Sequence, residues 1–323
     1  MPCNLKRALL LVPLLASSKS GKDAFEWPDA QQNGIVLVNV NHDIANYVRN
    51  HPDWFQSGEL VLDLSVPNQP DLKAAERERG GIQQLLGSKG MTAGTYTSGT
   101  TVEPLAGIKL WPYDRVPVEW MPKGFAAADS WPGDPERKIV DVTDRRTRRA
   151  LQDGIRRLWQ QCGAPIRFVD NAASHGSTGG KQPWEAYCAN IHEIRLLGES
   201  LGSRVVFNVS AHLAMLSDVE AAQLFRGVGP GNGILLEDPW GEATRKSPEL
   251  TRKAQARYRQ FMDLRIAIVM LPVNIPVDAL LDWVGVWRKP SDRLYAGWPF
   301  WKQPWEGRRP WEGTRLKSER AIE

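Results

Sequence analysis

The chain is poor in the residues that most often announce an active site: among 323 residues there are 3 cysteines and 5 histidines. Cys3 lies in the first basic segment, which leaves Cys162 and Cys188. These two fall at the end of one predicted helix and inside the next, with a strand between, so the Cα separation of about 4.4–6.8 Å that a disulfide needs is not expected. No CxxC pair, HExxH pair or GxSxG elbow occurs, and His192-Glu193 has no second histidine one turn later, so zinc-hydrolase and serine-hydrolase chemistry lose their main support. Excess charge of one sign is lacking too. Lys+Arg 41 against Asp+Glu 37 leaves a formal +4, too small for a nucleic-acid footprint on a chain this long.

Long apolar runs are also missing. The N-terminal sequence MPCNLKR, ALLLVPLLA, SSKSGKD reads as a basic region, a short apolar core and a small-residue stretch, which is the layout of a cleaved export signal over residues 1–20. A bilayer-crossing helix takes roughly 20 apolar residues, so a permanent anchor is the weaker reading, and the mature chain is expected to be secreted or periplasmic without stable membrane insertion. Glycine is absent from the turn after the first apolar strand, Asn39-Val40-Asn41-His42-Asp43, where a dinucleotide-binding fold would carry its fingerprint. The run Gly176-Ser-Thr-Gly-Gly180-Lys181 is one residue short of a phosphate loop and continues into Gln182-Pro183 instead of a metal-binding hydroxyl. The glycines of Gly227–Gly233 precede a strand and do not open a helix, which reads as a loop.

What is present is a repeating apolar pattern. Runs bounded by turn residues recur at Ile35-Val40, Leu60-Leu64, Thr92-Thr97, Ile166-Asp170, Val205-Val209, Ile234-Glu237, Ile266-Leu271 and Leu294-Trp298. Helical periodicity fills the gaps around Ile44-Phe55, Leu72-Leu86, Arg146-Trp159, Trp184-Leu197, Val219-Phe225, Leu250-Met262 and Val277-Trp287. Strands as continuously apolar as VVFNV and AIVML suit a parallel sheet covered on both faces. Eight such units predict an α/β fold, a (β/α)8 TIM barrel filling residues 30–300 as one large domain, in preference to a doubly wound open sheet. Residues 98–140, rich in Trp and Pro, read as an elaborated loop after the third strand, and 301–323, which repeats Pro-Trp-Glu-Gly, as an extended tail.

Barrel enzymes place their chemistry at the C-terminal ends of the strands. Asp170 ends the fourth predicted strand, and Glu237 with Asp238 ends the sixth. With a side-chain period of two, Ile166, Phe168 and Asp170 share one face, as do Leu235 and Glu237, so Asp170 and Glu237 both point inward and Asp238 turns away. Two facing carboxylates are the minimal apparatus for glycosidic cleavage, one donating a proton and the other bearing charge, and they need no metal or organic cofactor. The plainer alternative is that Asp170-Asn171 is a turn cap and Glu237-Asp238-Pro239 a wet turn. Tyr96 and Ser98 at the third strand end, Asn171, and Asn208 with His212 at the fifth are further polar candidates, Tyr96 equally a packing residue. The 14 Trp, beside 8 Phe and 6 Tyr, suit sugar stacking, with Trp111, Tyr113, Trp120 and Trp131 of the long loop as candidates. Six arginines in 145–157 lie mainly on the face away from Leu151, Ile155 and Leu158, which is a solvated face or a contact for an acidic polymer.

Asp141-Val-Thr143-Asp144 with Arg148, then Phe168-Val-Asp170-Asn171, Arg204-Val-Val-Phe-Asn208, Ile234-Leu-Leu-Glu237 and Gly94-Thr-Tyr96-Thr-Ser98 together resemble a group of bacterial glycoside hydrolases. These are distant relatives of the alpha-galactosidase and endo-alpha-polygalactosaminidase barrels. The resemblance runs from about Ile35 to Trp298 and implies Asp170 as nucleophile or charge stabiliser and Glu237 as acid/base, with Asp238 the alternative for the second role. No substrate carries over from the resemblance; the residues themselves read as binding a poly- or oligosaccharide, with Tyr96, Trp111, Tyr113, Asn171, Asn208 and Asp238 as the candidate contacts. The rival is a carbohydrate-binding barrel without catalysis. The sequence leaves the oligomeric state open.

Overall fold

Strands that are apolar on both faces have to be covered on both faces, and a closed parallel barrel inside a ring of helices does this. The computed structural model describes residues 25–30, 32–40, 44–64, 72–104, 115–161, 163–173, 182–209, 213–237, 247–273, 275–289 and 291–299. In chain order the elements are β1 (Ile35–Val40), α1 (Ile44–Asn50), β2 (Leu60–Leu64), α2 (Leu72–Ser88), β3 (Thr92–Ser98), β4 (Thr101–Glu103), β5 (Val116–Pro117), β6 (Ala127–Trp131), β7 (Asp134–Val140), α3 (Arg145–Gln161), β8 (Ile166–Ala173), α4 (Trp184–Ser200), β9 (Arg204–Val209), α5 (Asp218–Val228), β10 (Gly233–Glu237), α6 (Pro248–Asp263), β11 (Ala267–Leu271), α7 (Val277–Trp287) and β12 (Leu294–Pro299). Strands β1, β2, β3, β8, β9, β10, β11 and β12 pair in that order, all parallel, and β12 closes on β1. The expected (β/α)8 barrel is the fold.

Alternate residues build two cores. Val38, Leu62, Phe168, Val206, Leu235 and Val269 fill the barrel interior. Their neighbours Val169, Val205, Phe207, Ile234, Leu236 and Ile268 face the helices, against Leu151, Ile191 and Phe261. Each fully buried side chain of this kind contributes roughly 1.5–3 kcal/mol. The segment before β1 stops the lower end: Trp27 donates Nε1–H to the Gly231 carbonyl at 2.9 Å, stacks at 5.3 Å on Tyr295, and the Tyr295 hydroxyl donates to the Pro28 carbonyl at 2.6 Å.

Helix starts follow local chemistry. Ser217 and Glu220 form the expected capping box on α5, and Ser247 caps α6 with Pro248 at its first position. Gly229 closes α5 at φ 68° and Gly231 turns at φ 80°, so the loop expected over Gly227–Gly233 is confined to 229–232, with Gly227 in the last turn of α5 and Gly233 opening β10. Asp144 caps α3, its Oδ2 accepting the Thr147 amide at 2.9 Å and the Thr147 hydroxyl. Asp141 Oδ1 accepts both the amide and the hydroxyl of Thr143, at 2.8 and 2.6 Å. Arg148 donates to the Val142 carbonyl at 2.7 Å and bridges to Glu193 of α4 at 3.0 and 3.1 Å. The Asp-x-Thr-Asp-x-x-x-Arg phrase is therefore a device that starts α3 and ties it to α4.

The region 98–140 differs from the loop expected of it. It holds a second sheet, in the order β5-β4-β7-β6, with β4 and β7 antiparallel and β6 and β7 antiparallel. Pro132-Gly133, with Gly133 at φ 80°, turns β6 back as β7. Gly154 of α3 lets this sheet dock, since a Cβ there would stand 2.4 Å from Val116 Cγ1. Among the described residues no helix is long and apolar enough to cross a membrane. Residues 1–20, Cys162, the 174–181 segment, His212 and the 301–323 tail, on which earlier expectations fall, lie outside the described residues.

Candidate active site at the barrel mouth

Four adjacent strands deliver polar side chains to the upper end of the barrel: Tyr96 from β3, Asp170 and Asn171 from β8, Asn208 from β9 and Glu237 from β10. The alternation that buries Phe168, Val206 and Leu235 inside the barrel directs Asp170, Asn208 and Glu237 inward two residues later.

Asp170 is the centre of the cluster. Its Oδ2 accepts the Tyr96 hydroxyl at 2.6 Å and the Asn171 amide at 2.8 Å, and its Oδ1 accepts Asn208 Nδ2 at 2.6 Å. An ionised carboxylate only accepts, and three donors match that state. The same Asn208 Nδ2 donates to Glu237 Oε1 at 3.0 Å. One nitrogen bonded to both carboxylates keeps Asp170 Oδ1 and Glu237 Oε1 no more than about 5.6 Å apart. Asn208 is 2% exposed, Tyr96 8%, and Asp170 is half-buried, whereas Glu237 is exposed to solvent. Asn208 also begins a formal glycosylation sequon, which its burial puts out of reach of a glycosyltransferase.

The backbone under Asp170 is specialised. Pairing of β8 with β9 shifts register between Val169 and Ala173, and Asn171 sits at φ 49°, a left-handed conformation that asparagine tolerates better than most residues. The corner after β3 is sewn onto this bulge: Gly99 N–H donates to the Asp170 carbonyl at 2.7 Å and Thr100 Oγ1 to the Asn171 carbonyl at 2.7 Å. Only glycine fits at 99, because a Cβ would lie 2.8 Å from Val169 Cγ1 and 3.1 Å from Ala172 Cα. Asn190 of α4 donates to the Gly99 carbonyl at 2.9 Å and braces the corner from outside. Ser98 belongs to this support and not to the mouth, with its hydroxyl 2.5 Å from Thr101 Oγ1.

The sequence reading missed Arg137. On β7 it shares the buried face with Ile139, its guanidinium lies 3.6 Å above the Trp131 ring, and Nη2 donates to Thr101 Oγ1 at 3.3 Å. Burial, and then the like charge of Arg115, lower its pKa against the opposing pull of Tyr96, Asp170 and Glu103. Arg115 itself pairs with the buried Glu103. The one available signal was the Pro132-Gly133 turn ahead of Ile139-Val140, and the charges of Glu136, Arg137 and Lys138 masked it. Trp131 is thus covered on one face by Arg137, and Trp120 stands beside α3, with Arg157 5.5 Å from its ring. Trp111, Tyr113 and Asp238 lie outside the described residues.

No family model matches the sequence, and no curated protein matches it. Solved structures do resemble it. They include the Bacillus licheniformis trehalose-6-phosphate hydrolase (7% identity, TM-score 0.50, 84% of this chain and 65% of that one). Aspergillus fumigatus Ega3 in complex with galactosamine aligns at 9% identity and TM-score 0.47, over 78% of this chain and 80% of that one. The GH36 alpha-galactosidase AgaA of Geobacillus stearothermophilus aligns at 9% and 0.48, over 88% and 41%. The chain spans less than two thirds of the first and third of these proteins. At such identities the likeness is one of fold: an eight-stranded parallel barrel of the kind that glycoside hydrolases have.

Proposed function

We propose that the protein is a glycoside hydrolase that cleaves a poly- or oligosaccharide with retention of configuration, Asp170 acting as nucleophile and Glu237 as acid/base. The observation that carries this reading is the shared amide: Asn208 Nδ2 at 2.6 Å from Asp170 and 3.0 Å from Glu237. Retaining enzymes hold their carboxyl groups about 5–5.5 Å apart, and inverting ones about 6.5–9.5 Å apart to leave space for a water. The Asn208 bridge favours the shorter span.

The two environments divide the roles. Asp170, fixed by three donors, stays ionised and attacks the anomeric carbon. Glu237, the second carboxyl on Asn208 Nδ2, gives its proton to the departing glycosidic oxygen, then removes a proton from the water that attacks the glycosyl-Asp170 ester, releasing the sugar and restoring both carboxyls. Tyr96 and Asn171 orient the nucleophile. The apolar run at residues 8–16 supports export of the chain, which N-terminal sequencing of protein recovered outside the cytoplasm tests.

The test is a screen of the full chain on defined glycans, with the anomer of the product followed by NMR. Asp170→Asn is expected to abolish turnover, and Glu237→Ala to regain it, as a glycosyl azide of retained configuration, when azide is added. Turnover untouched by either change rejects the assignment. Sugar binding with no turnover on any glycan marks a binding barrel instead.

A further inference from the structure

Outside the mouth, α3 carries a cluster of six arginines. A groove of about 680 Å³ runs between this helix and the 118–122 turn of the inserted sheet, lined by Trp120, Arg145, Arg146, Arg149 and Arg157, with Pro122, Ala150 and Gly154 as its apolar side. The groove exists because Gly154 admits Val116 against α3, which stations Trp120, four residues on, beside the arginines. Two carboxylates also line the groove, and each is engaged within α3. Asp144 caps α3 through the Thr147 amide and hydroxyl, which hold its carboxyl below the ordinary range, and Asp153 pairs with Arg156 at 2.9 Å. Arg148 is engaged by Glu193. Among the described residues Arg145, Arg149 and Arg157 make no ion pair, and all three are exposed.

We propose that this groove, which shares no lining residue with the cluster around Asp170 and Glu237, is a second binding site for an oligosaccharide carrying carboxylate groups. The volume falls in the range of about 300–1,000 Å³ usual for small-ligand sites. Exposed arginines on one helix usually mark only a solvated face; here they converge with an aromatic ring on a concavity. The indole of Trp120, partly buried against the core and with Arg157 over its ring at 5.5 Å, gives the groove an aromatic wall for the C–H side of a pyranose. Guanidinium groups form bidentate hydrogen bonds with a sugar carboxylate, a match of shape as well as charge. The chain's formal charge of only +4 puts the attraction in this groove and not over the whole surface, which disfavours a nucleic acid. The saccharide half of the ligand rests on the glycosidase reading, and the anionic half on the groove alone. The inference deepens that reading: the enzyme's polymer is acidic, and α3 holds it while the mouth works on it.

Calorimetric titration of the full chain tests this with three probes: an oligogalacturonate of defined length, a neutral galactose oligomer of equal length, and a single-stranded DNA oligomer of equal charge. The oligogalacturonate is expected to bind at least tenfold more tightly than the neutral oligomer, and more weakly as salt rises. Arg149→Gln with Arg157→Gln is expected to weaken it at least tenfold, and Trp120→Ala to weaken it separately, with melting temperatures near that of the parent. Asp170→Asn is expected to leave this affinity in place, which separates the groove from the mouth. Folded Arg149→Gln/Arg157→Gln protein that binds as the parent does overturns the proposal. So does equal affinity for the neutral oligomer, or DNA binding of equal strength that survives Trp120→Ala. Groove binding in a protein that hydrolyses nothing counts against the glycosidase reading and leaves the groove standing.

Discussion

The Tyr96 hydroxyl, brought up by β3, donates a 2.6 Å hydrogen bond to Asp170 at the end of β8. Ser98 and Asp170 are paired in register across the same two strands, so the contact is fixed by the barrel and not by a mobile loop. A hydrogen bond to a charged group is worth roughly 1.5–3 kcal/mol. Tyr96→Phe is accordingly expected to lower kcat/KM about 10- to 100-fold while leaving the melting temperature within a few degrees. Steady-state kinetics on whichever glycan the screen identifies, beside a thermal melt, checks it.

Asn208 bridges the two carboxyls. Asn208→Ala removes the shared donor and lets the carboxyls splay, and Asn208→Asp puts a third carboxylate between them. The expected order of kcat is parent, then Ala at about 100-fold lower, then Asp lower still, because one positioned donor at a reacting centre is worth about 10²–10³ in rate. An Asp variant as active as the parent would remove Asn208 from the site.

Glu193 gives the protein an acid-sensitive tie between α3 and α4. Burial works against its charge, but hydrogen bonds from Arg148 and Gln152 outweigh this and hold the carboxyl below its ordinary value. A folded pKa below the unfolded value stabilises the fold fully above the unfolded value of about 4.3, and the contribution is lost as pH falls from there through the folded pKa. Glu193→Gln is therefore expected to melt below the parent at pH 7, and the gap to close as pH falls toward 3.

Much of this was legible beforehand, for a physical reason. A strand buried on both faces must be apolar at every position, so β9, β11 and β12 stand out as unbroken runs, and the alternation within β8 and β10 places Asp170 and Glu237 on the inner face. The inserted sheet was not legible, because β7 carries Asp134, Glu136, Arg137 and Lys138 and Pro132-Gly133 reads as loop punctuation. Nor did any local pattern show Arg137 reaching Thr101, since that depends on the register of β7 on β4, set by tertiary packing. The extension of β8 to Ala173 was hidden by a bulge that only Asn171 in a left-handed conformation permits.

Cys188 is buried in α4, and burial, helped by the carboxylates of Glu185 and Glu220, pushes its thiol up to about 12. The thiolate that reacts with alkylating agents is then nearly absent at pH 8. Iodoacetamide is expected to leave the Cys188 peptide unlabelled in native protein over hours and to label it fully in guanidinium chloride, as read by mass spectrometry.

Gly154 is the seat of the inserted sheet. Gly154→Ala would press a methyl group to 2.4 Å from Val116 and is expected to cost about 1–3 kcal/mol, the usual penalty of overpacking. Pairing it with Val116→Ala is expected to restore much of the melting temperature. A single Gly154→Ala variant as stable as the parent would show that the sheet docks elsewhere.

The sheet from β4 to β7 leaves the barrel and returns to it at one place. The Val140 amide donates to the Thr100 carbonyl at 2.9 Å, and Thr101 pairs with Ile139. Entry and exit being adjacent, the intervening chain is a cassette: a short turn from Thr100 to Val140 would excise it with the eight barrel strands still in register. Both Arg137 and Trp120 travel with it, so exchange of this one segment would replace the groove beside α3 while the hydrogen bonds of Asn208 to Asp170 and Glu237, made wholly by barrel strands, stay in place.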